Sequence, residues 1–597
     1  LTLRDGTDEK YKWNLCDIYP DDEAWERDYN RAGELKSRFA AYKGKIGESP
    51  DTLLECLRLA DEADELLSAL TAYSRMRRDE DNSIGKYQGM SDRAADIAAE
   101  TDAEQAFIEP EIIGIGREKI DGFLKVNPDL GVYAHYFDTL LRVKKHTKSR
   151  EEEKLLAMSA PLAEAPGEIF SMFNNADIRF GGITDENNEK KELTLGNYGM
   201  FLESRSIEVR KAAFETVHGR YKEYVNTLAA AFGSNIKSNV FYAKARNYPS
   251  SIEMFLFEDD VNVNVYMNLI EEVGKAIPAL SRYLETRKKL LGLDELHMYD
   301  LYTPLVEDTI GRIPYEDAKN LVLKACEPLG DEYTGALKNA LDGRWVDVYE
   351  SPGKTPGAFS WGSLSAHPFV LLNYHDRIDD LFTLIHEIGH AMHSFNSNNT
   401  QPTVYKSYPI FTAEVASAVN ENLLLHYLLN ITDDDKKRAF LLNYKLDGIR
   451  TTVFRQTMFA EFELNIHNKY ESGVPITAEL LCEEYLKLNQ KYYAPAAVPD
   501  ELISYEWARI PHFYSSFYVY QYATGYSAAE KLAAGVLSGD NNARDRYTGF
   551  LKSGGSDYPL KLLAGAGVDL SDGAAFAETM KGFSETLDEF ERLAAAI

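Results

Sequence analysis

The sequence predicts a mainly α protein with one small β-sheet, and three observations carry that prediction. Ala, Leu, Glu and Arg recur with helical spacing over most of the 597 residues. A single β-rich, Gly-punctuated stretch lies between Trp345 and Tyr374. It leads directly into an amphipathic segment, Leu381 to Ser394.

In chain order, residues 21 to 117 read as long antiparallel helices, with Leu53, Leu57, Leu59, Ala60, Leu66, Leu67 and Leu70 at helical spacing and Ser49-Pro50-Asp51 as a break. Residues 118 to 176 continue in the same style. At Asp177 to Leu195 the texture changes: Ile178-Arg179-Phe180 and Leu193-Thr194-Leu195 flank a polar loop, which reads as a short hairpin and a lobe boundary. Two domains are therefore expected, an N-terminal helical lobe over 1–195 and a second domain over 196–597. Helices resume from Tyr198, with turns near Asn247-Tyr248-Pro249 and Asp259-Asp260, and continue after Pro304 to about Gly343. In the β-rich stretch, Trp345 to Tyr349, Gly357 to Gly362 and Phe369 to Tyr374 read as strands. Beyond Asp379 the pattern is helical, broken near Ser394 to Pro409, at Gly473-Val474-Pro475 and at Pro495 to Pro499.

A length of 597 residues is ample for a sizeable core. The net charge of −30 argues against nucleic acid, since no basic stripe is available to displace phosphate counterions. Cys16, Cys56, Cys326 and Cys482 show no metal-knuckle spacing and read as reduced thiols. With no apolar leader in Leu1 to Pro20 and no run of about 18 apolar residues, a cytoplasmic protein without a membrane partner is expected.

On a helix over Leu381 to Ser394, residues Leu381, Leu384, Ile385, Ile388 and Met392 share one arc, and His386, His390 and His393 fall opposite. His386 and His390 are one turn apart, so their ring nitrogens can converge on one ion, and Glu387 stands near enough to hold a water there. This is the arrangement of a zinc peptidase. Catalytic zinc usually takes three protein ligands and keeps one open position. His393 would have to reach back past His390, so a second helix is the better source. Phe411 to Leu429 supplies Glu414 and Glu421 on one face. The small Gly389 and Ala391 would let such a segment pass close. A metzincin ligand set is excluded, because its third histidine would fall at Asn396.

His386-Glu387-Ile388-Gly389-His390-Ala391-Met392-His393-Ser394 followed by Phe411-Thr412-Ala413-Glu414-Val415-Ala416-Ser417 resembles the oligoendopeptidase F group of the thimet-oligopeptidase (M3) metallopeptidase family. So do Tyr11-Lys12-Trp13-Asn14-Leu15, Ile18-Tyr19-Pro20, Gly357-Ala358-Phe359-Ser360, Thr452-Val453-Phe454-Arg455-Gln456 and Ile510-Pro511-His512-Phe513-Tyr514, so the resemblance spans nearly the whole chain. It implies a large multi-helix zincin-type peptidase with a deep substrate channel between lobes, acting on short peptides. Carried over by position, His386, His390 and Glu414 would bind one Zn²⁺ per chain, with Glu387 as general base and Glu421 as an alternative ligand or supporting partner. The resemblance also places a His and one or more Tyr against the scissile carbonyl. The matching residues are His512, then Tyr518, then Tyr520 or Tyr522. Tyr514, Tyr518, Tyr522 and Tyr526 recur every four residues and read as one helical stripe. Phenols suit an oxyanion because they donate a hydrogen bond without adding charge to the ground state.

The segment Gly357, Ala358 and Phe359 is the candidate edge strand for pairing with an extended substrate backbone. The reaction implied is hydrolysis of an internal peptide bond, with Glu387 taking a proton from the attacking water and delivering it to the leaving amine. The alternative from another class is a helical peptide-binding scaffold with structural zinc. Against it, structural zinc normally has four ligands, often Cys, and no cysteine lies near the motif. A zinc hydrolase of a non-peptide amide is also compatible with the spacing. No motif in the chain specifies an oligomeric state or a side-chain preference.

Overall fold

The structure, a computed structural model, describes residues 3–595 and is 72% helical. Helix therefore dominates as the periodicity predicts. The chain forms two compact units, each assembled from three segments. The first comprises Leu1–Lys145, Ile310–Leu428 and Leu532–Val568, and the second His146–Thr309, Leu429–Lys531 and Asp569–Ile597. Residue 195, where the sequence suggests a boundary, lies inside the second unit. The hairpin there consists of β1 (Gly182–Thr184) and β2 (Lys190–Glu192), antiparallel with Ile183 opposite Lys191. Its strands sit nearer the turn than expected, because Thr194 is used to cap the next helix by accepting the Asn197 N–H.

In the first unit the N-terminal helices build the platform for the site. Ser49-Pro50-Asp51, a break in the helical pattern, is the start of the helix Pro50–Glu80, with Ser49 capping the Thr52 N–H and Pro50 in the first turn, where its missing N–H costs nothing. Trp25, Leu66, Leu70, Tyr73, Met76 and Ile97 from three helices pack into one core with Phe369 and Leu371. Those last two belong to a three-stranded sheet of β3 (Val346–Asp347), β4 (Phe359–Trp361) and β5 (Phe369–Leu371), in the order β3-β5-β4. β3 runs parallel to β5, with Val346 opposite Val370, and β4 runs antiparallel, with Ser360 opposite the same residue. The central β5 is wholly buried; β4 is a half-buried edge.

The N-terminal Tyr11 to Leu15 stretch is tied to this sheet. The Val348 N–H donates to the Tyr11 carbonyl at 2.9 Å, the Asn14 N–H to that of Arg344 at 2.8 Å, and the Trp13 ring meets Phe369 edge-on at 6.2 Å. Behind the sheet, the buried Lys354 ammonium is paired with Asp347 at 2.8 Å and caps the carbonyls of Asp347 and Tyr349. Beyond β5, Asp380 accepts the N–H groups of His375 and Arg377, both at 2.9 Å, and so starts the histidine helix, Ile378–Thr400. This helix runs past the break expected at Ser394 and stops only before Gln401-Pro402, where proline cannot continue it.

The second unit packs its helices around buried ion pairs. Arg210 meets Asp300 at 2.6 Å and Arg287 meets Asp447 at 2.8 Å. Arg455 and Arg509 both bind Glu506, which also accepts the Tyr485 hydroxyl at 2.6 Å. Although burial favours the neutral acid, the two guanidinium groups hold the Glu506 carboxyl far below the usual carboxylate range. All four cysteines are free thiols. No described helix is long and apolar enough to cross a membrane.

Candidate metal centre

The apolar arc read from the sequence is the buried face of the histidine helix: Leu381, Leu384, Ile385, Ile388 and Met392 are all inaccessible. His386 and His390 leave the opposite face with their Nε2 atoms 3.1 Å apart. Glu414 comes from the carboxylate helix, Ile410–Ile431, with Oε2 at 3.6 Å from His386 Nε2 and 3.9 Å from His390 Nε2. One donor atom from each of the three lies within 4.8 Å of the others.

Two backbones must pass closely for this, and Gly389 is where they do. A Cβ on Gly389 would lie 2.6 Å from Ser417 Cα and 3.0 Å from the Ala416 carbonyl oxygen. Any side chain there would push the carboxylate helix away from the histidines.

The second glutamate of that helix has a different place. Glu421 Oε1 accepts the Nδ1–H of His386 at 2.7 Å, which leaves Nε2 as the nitrogen turned toward His390 and Glu414. His390 is oriented by a hydrogen bond to the Ala413 backbone. Two imidazole nitrogens 3.1 Å apart and a carboxylate oxygen form a donor set that would suit a divalent zinc-like ion. In the ion-free protein the same crowding shows in the protonation. Burial disfavours the His386 cation, but the Glu421 bond and the surrounding carboxylates outweigh it and push His386 up to about 9. Burial, and then the His386 charge, push His390 down to about 3.

Glu387 is 8% exposed, and burial raises its carboxyl above the ordinary range, with the His386 charge opposing. It accepts a hydrogen bond from the Ser360 backbone. Ser360 lies on β4, so the edge strand containing Phe359, preceded by Gly357 and Ala358, stands against the histidine helix beside Glu387. That contact is made by a backbone N–H and has no side-chain signature in the sequence.

His393 is not on the face of the other two histidines in any useful sense. It is 1% exposed, stacked on Tyr408 at 3.8 Å and packed against Phe550, because the chain returns over that side of the helix. Nor do the tyrosines at spacing four form one stripe. Tyr514 ends a 3₁₀ turn (Pro511–Tyr514) and stacks on Phe170 at 4.5 Å. The helix bearing the later tyrosines begins only at Tyr520. Tyr520 itself is 1% exposed in the core, 5.1 Å from the Tyr266 ring. His512, Tyr518 and Tyr522 do come together: the Tyr522 hydroxyl is 3.2 Å from His512 Nε2, and the rings of Tyr518 and Tyr522 meet edge-on at 5.4 Å.

Comparison with known proteins agrees with this architecture. The profile of peptidase family M3 matches residues 200–582, and that of oligopeptidase F matches residues 111–180. The oligopeptidase PepF of Bacillus subtilis is 45% identical over 97% of this chain and 87% of its own length. Among solved structures, the oligoendopeptidase-F of Enterococcus faecium is 36% identical, with a TM-score of 0.75 over 96% of this chain and all of its own. A crystal structure from Chlamydophila abortus is 33% identical, with a TM-score of 0.92 over the full length of both chains. With a profile match over more than half its length and relatives aligned almost end to end, the chain belongs to peptidase family M3.

Proposed function

We propose that the protein is a zinc-dependent endopeptidase that hydrolyses internal bonds of short peptides. The observation that carries this reading is the convergence of His386 Nε2, His390 Nε2 and Glu414 Oε2 on one point, with the buried carboxyl of Glu387 alongside. His386, His390 and Glu414 would hold the ion, and Glu421 orients His386 for it. When bound, the ion supplies Lewis acidity, which eases deprotonation of water near neutral pH and polarises a carbonyl.

The remaining steps belong to the chain. Glu387 takes the proton from the attacking water and passes it to the departing amine; a carboxyl raised by burial is better matched to both transfers than an exposed one. The unpaired side of β4, with Gly357 and Ala358 leading into it, offers backbone groups to an extended peptide. His512 and Tyr518, with Tyr522, are the proposed donors to the developing oxyanion. The names of the relatives, an oligopeptidase and an oligoendopeptidase, support short peptides as the substrates.

The test is cleavage of an internally quenched peptide of about ten residues, long enough to lie as a strand, beside an unfolded protein. Chelator-sensitive internal cleavage of the peptide, restored by zinc and abolished in a zinc-loaded Glu387→Gln variant, is the expected result. Absence of cleavage at full zinc occupancy would replace the reading with a peptide-binding scaffold.

A further inference from the structure

The turn that carries His512 and Tyr518 is held in a conformation its own residues do not favour. Phe517 has φ of +55° and is 2% exposed. A bulky side chain in the left-handed region is an outlier that persists only when the surroundings impose it. Two helices of the same unit impose it here.

From the helix Arg455–Glu471, Glu463 Oε1 accepts the Phe517 N–H at 2.6 Å. The His467 ring packs against the Phe517 ring at 4.6 Å, with Phe255 and Tyr266 completing the pocket. From the helix Val225–Ala245, the side-chain amides of Asn239 and Asn235 donate to Ser516 Oγ at 2.6 and 3.2 Å, and Asn235 also donates to the Phe513 carbonyl at 3.3 Å. His467 Nδ1 donates to the Glu463 carbonyl, so its Nε2 accepts the second Asn239 bond at 3.1 Å.

Glu463 is the unusual member. It is fully buried, and its Oε2 has no hydrogen-bond partner. Burial pushes its carboxyl well above the ordinary range, so the neutral acid is favoured. An apolar residue would fill that volume at lower cost, unless the acceptor at Oε1 is what the position requires. The consequence lies on either side of the turn. The His512 and Tyr518 rings come nearly parallel, 10° apart in plane and 6.2 Å between centroids.

We propose that Glu463 is a positioning residue for His512, Tyr518 and Tyr522: by accepting the Phe517 N–H it maintains the left-handed turn that sets the His512 and Tyr518 rings face to face. Its effect on turnover rests on the function proposed above, whereas its effect on ring placement does not. Glu463→Gln keeps the acceptor and Glu463→Leu keeps only the volume. Histidine labelled with ¹³C at Cε1 provides a readout independent of activity, with the His512 signal among the twelve histidines identified by its loss in His512→Gln.

In Glu463→Leu the His512 signal moves and kcat falls about ten- to a hundredfold with KM within about twofold, as expected for a small misplacement of a reacting group. Glu463→Gln preserves both. Adding Phe517→Gly to Glu463→Leu returns the signal toward its original position, because glycine enters the left-handed region without support. This double variant also serves if Glu463→Leu alone does not fold. A His512 signal unmoved by Glu463→Leu, a Gln variant as impaired as the Leu variant, or a double variant as displaced as the single one would each overturn the proposal. A moved signal with unchanged kcat in an active enzyme overturns its link to turnover. A moved signal in a protein that cleaves no peptide upholds the positioning and counts against the peptidase reading.

Discussion

Glu421 Oε1 and His386 Nδ1 are 2.7 Å apart, and this one bond decides which nitrogen of His386 is available to an ion. It separates two glutamates of one helix into different tasks, since Glu414 faces the Nε2 atoms and Glu421 faces the far side of the ring. Removing it should loosen the His386 ring without deleting the proposed donor nitrogen. Glu421→Ala is expected to weaken zinc affinity about 10- to 100-fold, measured by competition with a chromogenic chelator, while activity at saturating zinc falls less than affinity does.

The same bond sets a pH dependence. With His386 at about 9 in the ion-free protein, a zinc ion bound as proposed would have to displace a proton at pH 7 to 8. Apparent zinc affinity should therefore rise with pH up to about 9 and then level. Calorimetry in buffers of different ionisation enthalpy should report about one proton released per zinc. The sign for stability is opposite. A histidine raised above its unfolded value of 6.5 stabilises the ion-free fold fully below 6.5, and that contribution is lost as pH rises through about 9. Thermal melts of chelated protein should thus decline over that window, and those of Glu421→Ala should decline less.

Gly389→Ala tests the approach of the histidine and carboxylate helices. The added Cβ would sit 2.6 Å from Ser417 Cα, backbone that cannot rotate aside. A loss of about 1–3 kcal/mol in stability is expected from such overpacking, together with loss of zinc that stoichiometry measurements on the folded fraction would register. Gly448, in the helix Asp435–Ile449 of the second unit, would have its Cβ meet nothing within 4 Å and provides a control for helical glycine substitution.

Glu506→Gln removes the charge shared by Arg455 and Arg509 while keeping the shape. Leaving buried guanidinium groups uncompensated should cost about 3–5 kcal/mol, read from urea unfolding. In the unaltered protein the depressed Glu506 carboxyl contributes stability above its unfolded value of 4.5 that is lost as pH falls below it. The acid limb of the stability profile should accordingly flatten in the variant.

What the sequence by itself determined is local. The spacing of His386 and His390, the apolar arc behind them and the short strands before them are set by helical and strand periods, which act over a few residues. Those readings needed no knowledge of what packs where. The need for a small residue at Gly389 was also legible, because a close approach leaves a mark in residue size.

What only the tertiary structure decided depends on partners distant in the chain. Glu414 and Glu421 share a helical face, and their separate positions follow from how the carboxylate helix crosses the histidine helix. His393 follows the same period as its neighbours, yet Tyr408 and Phe550 bury it. The tyrosines at spacing four form no continuous stripe because Glu463, 54 residues before Phe517, holds a left-handed turn between them. Periodicity describes a face of an element; which group that face meets is fixed by packing energy shared among segments far apart in sequence.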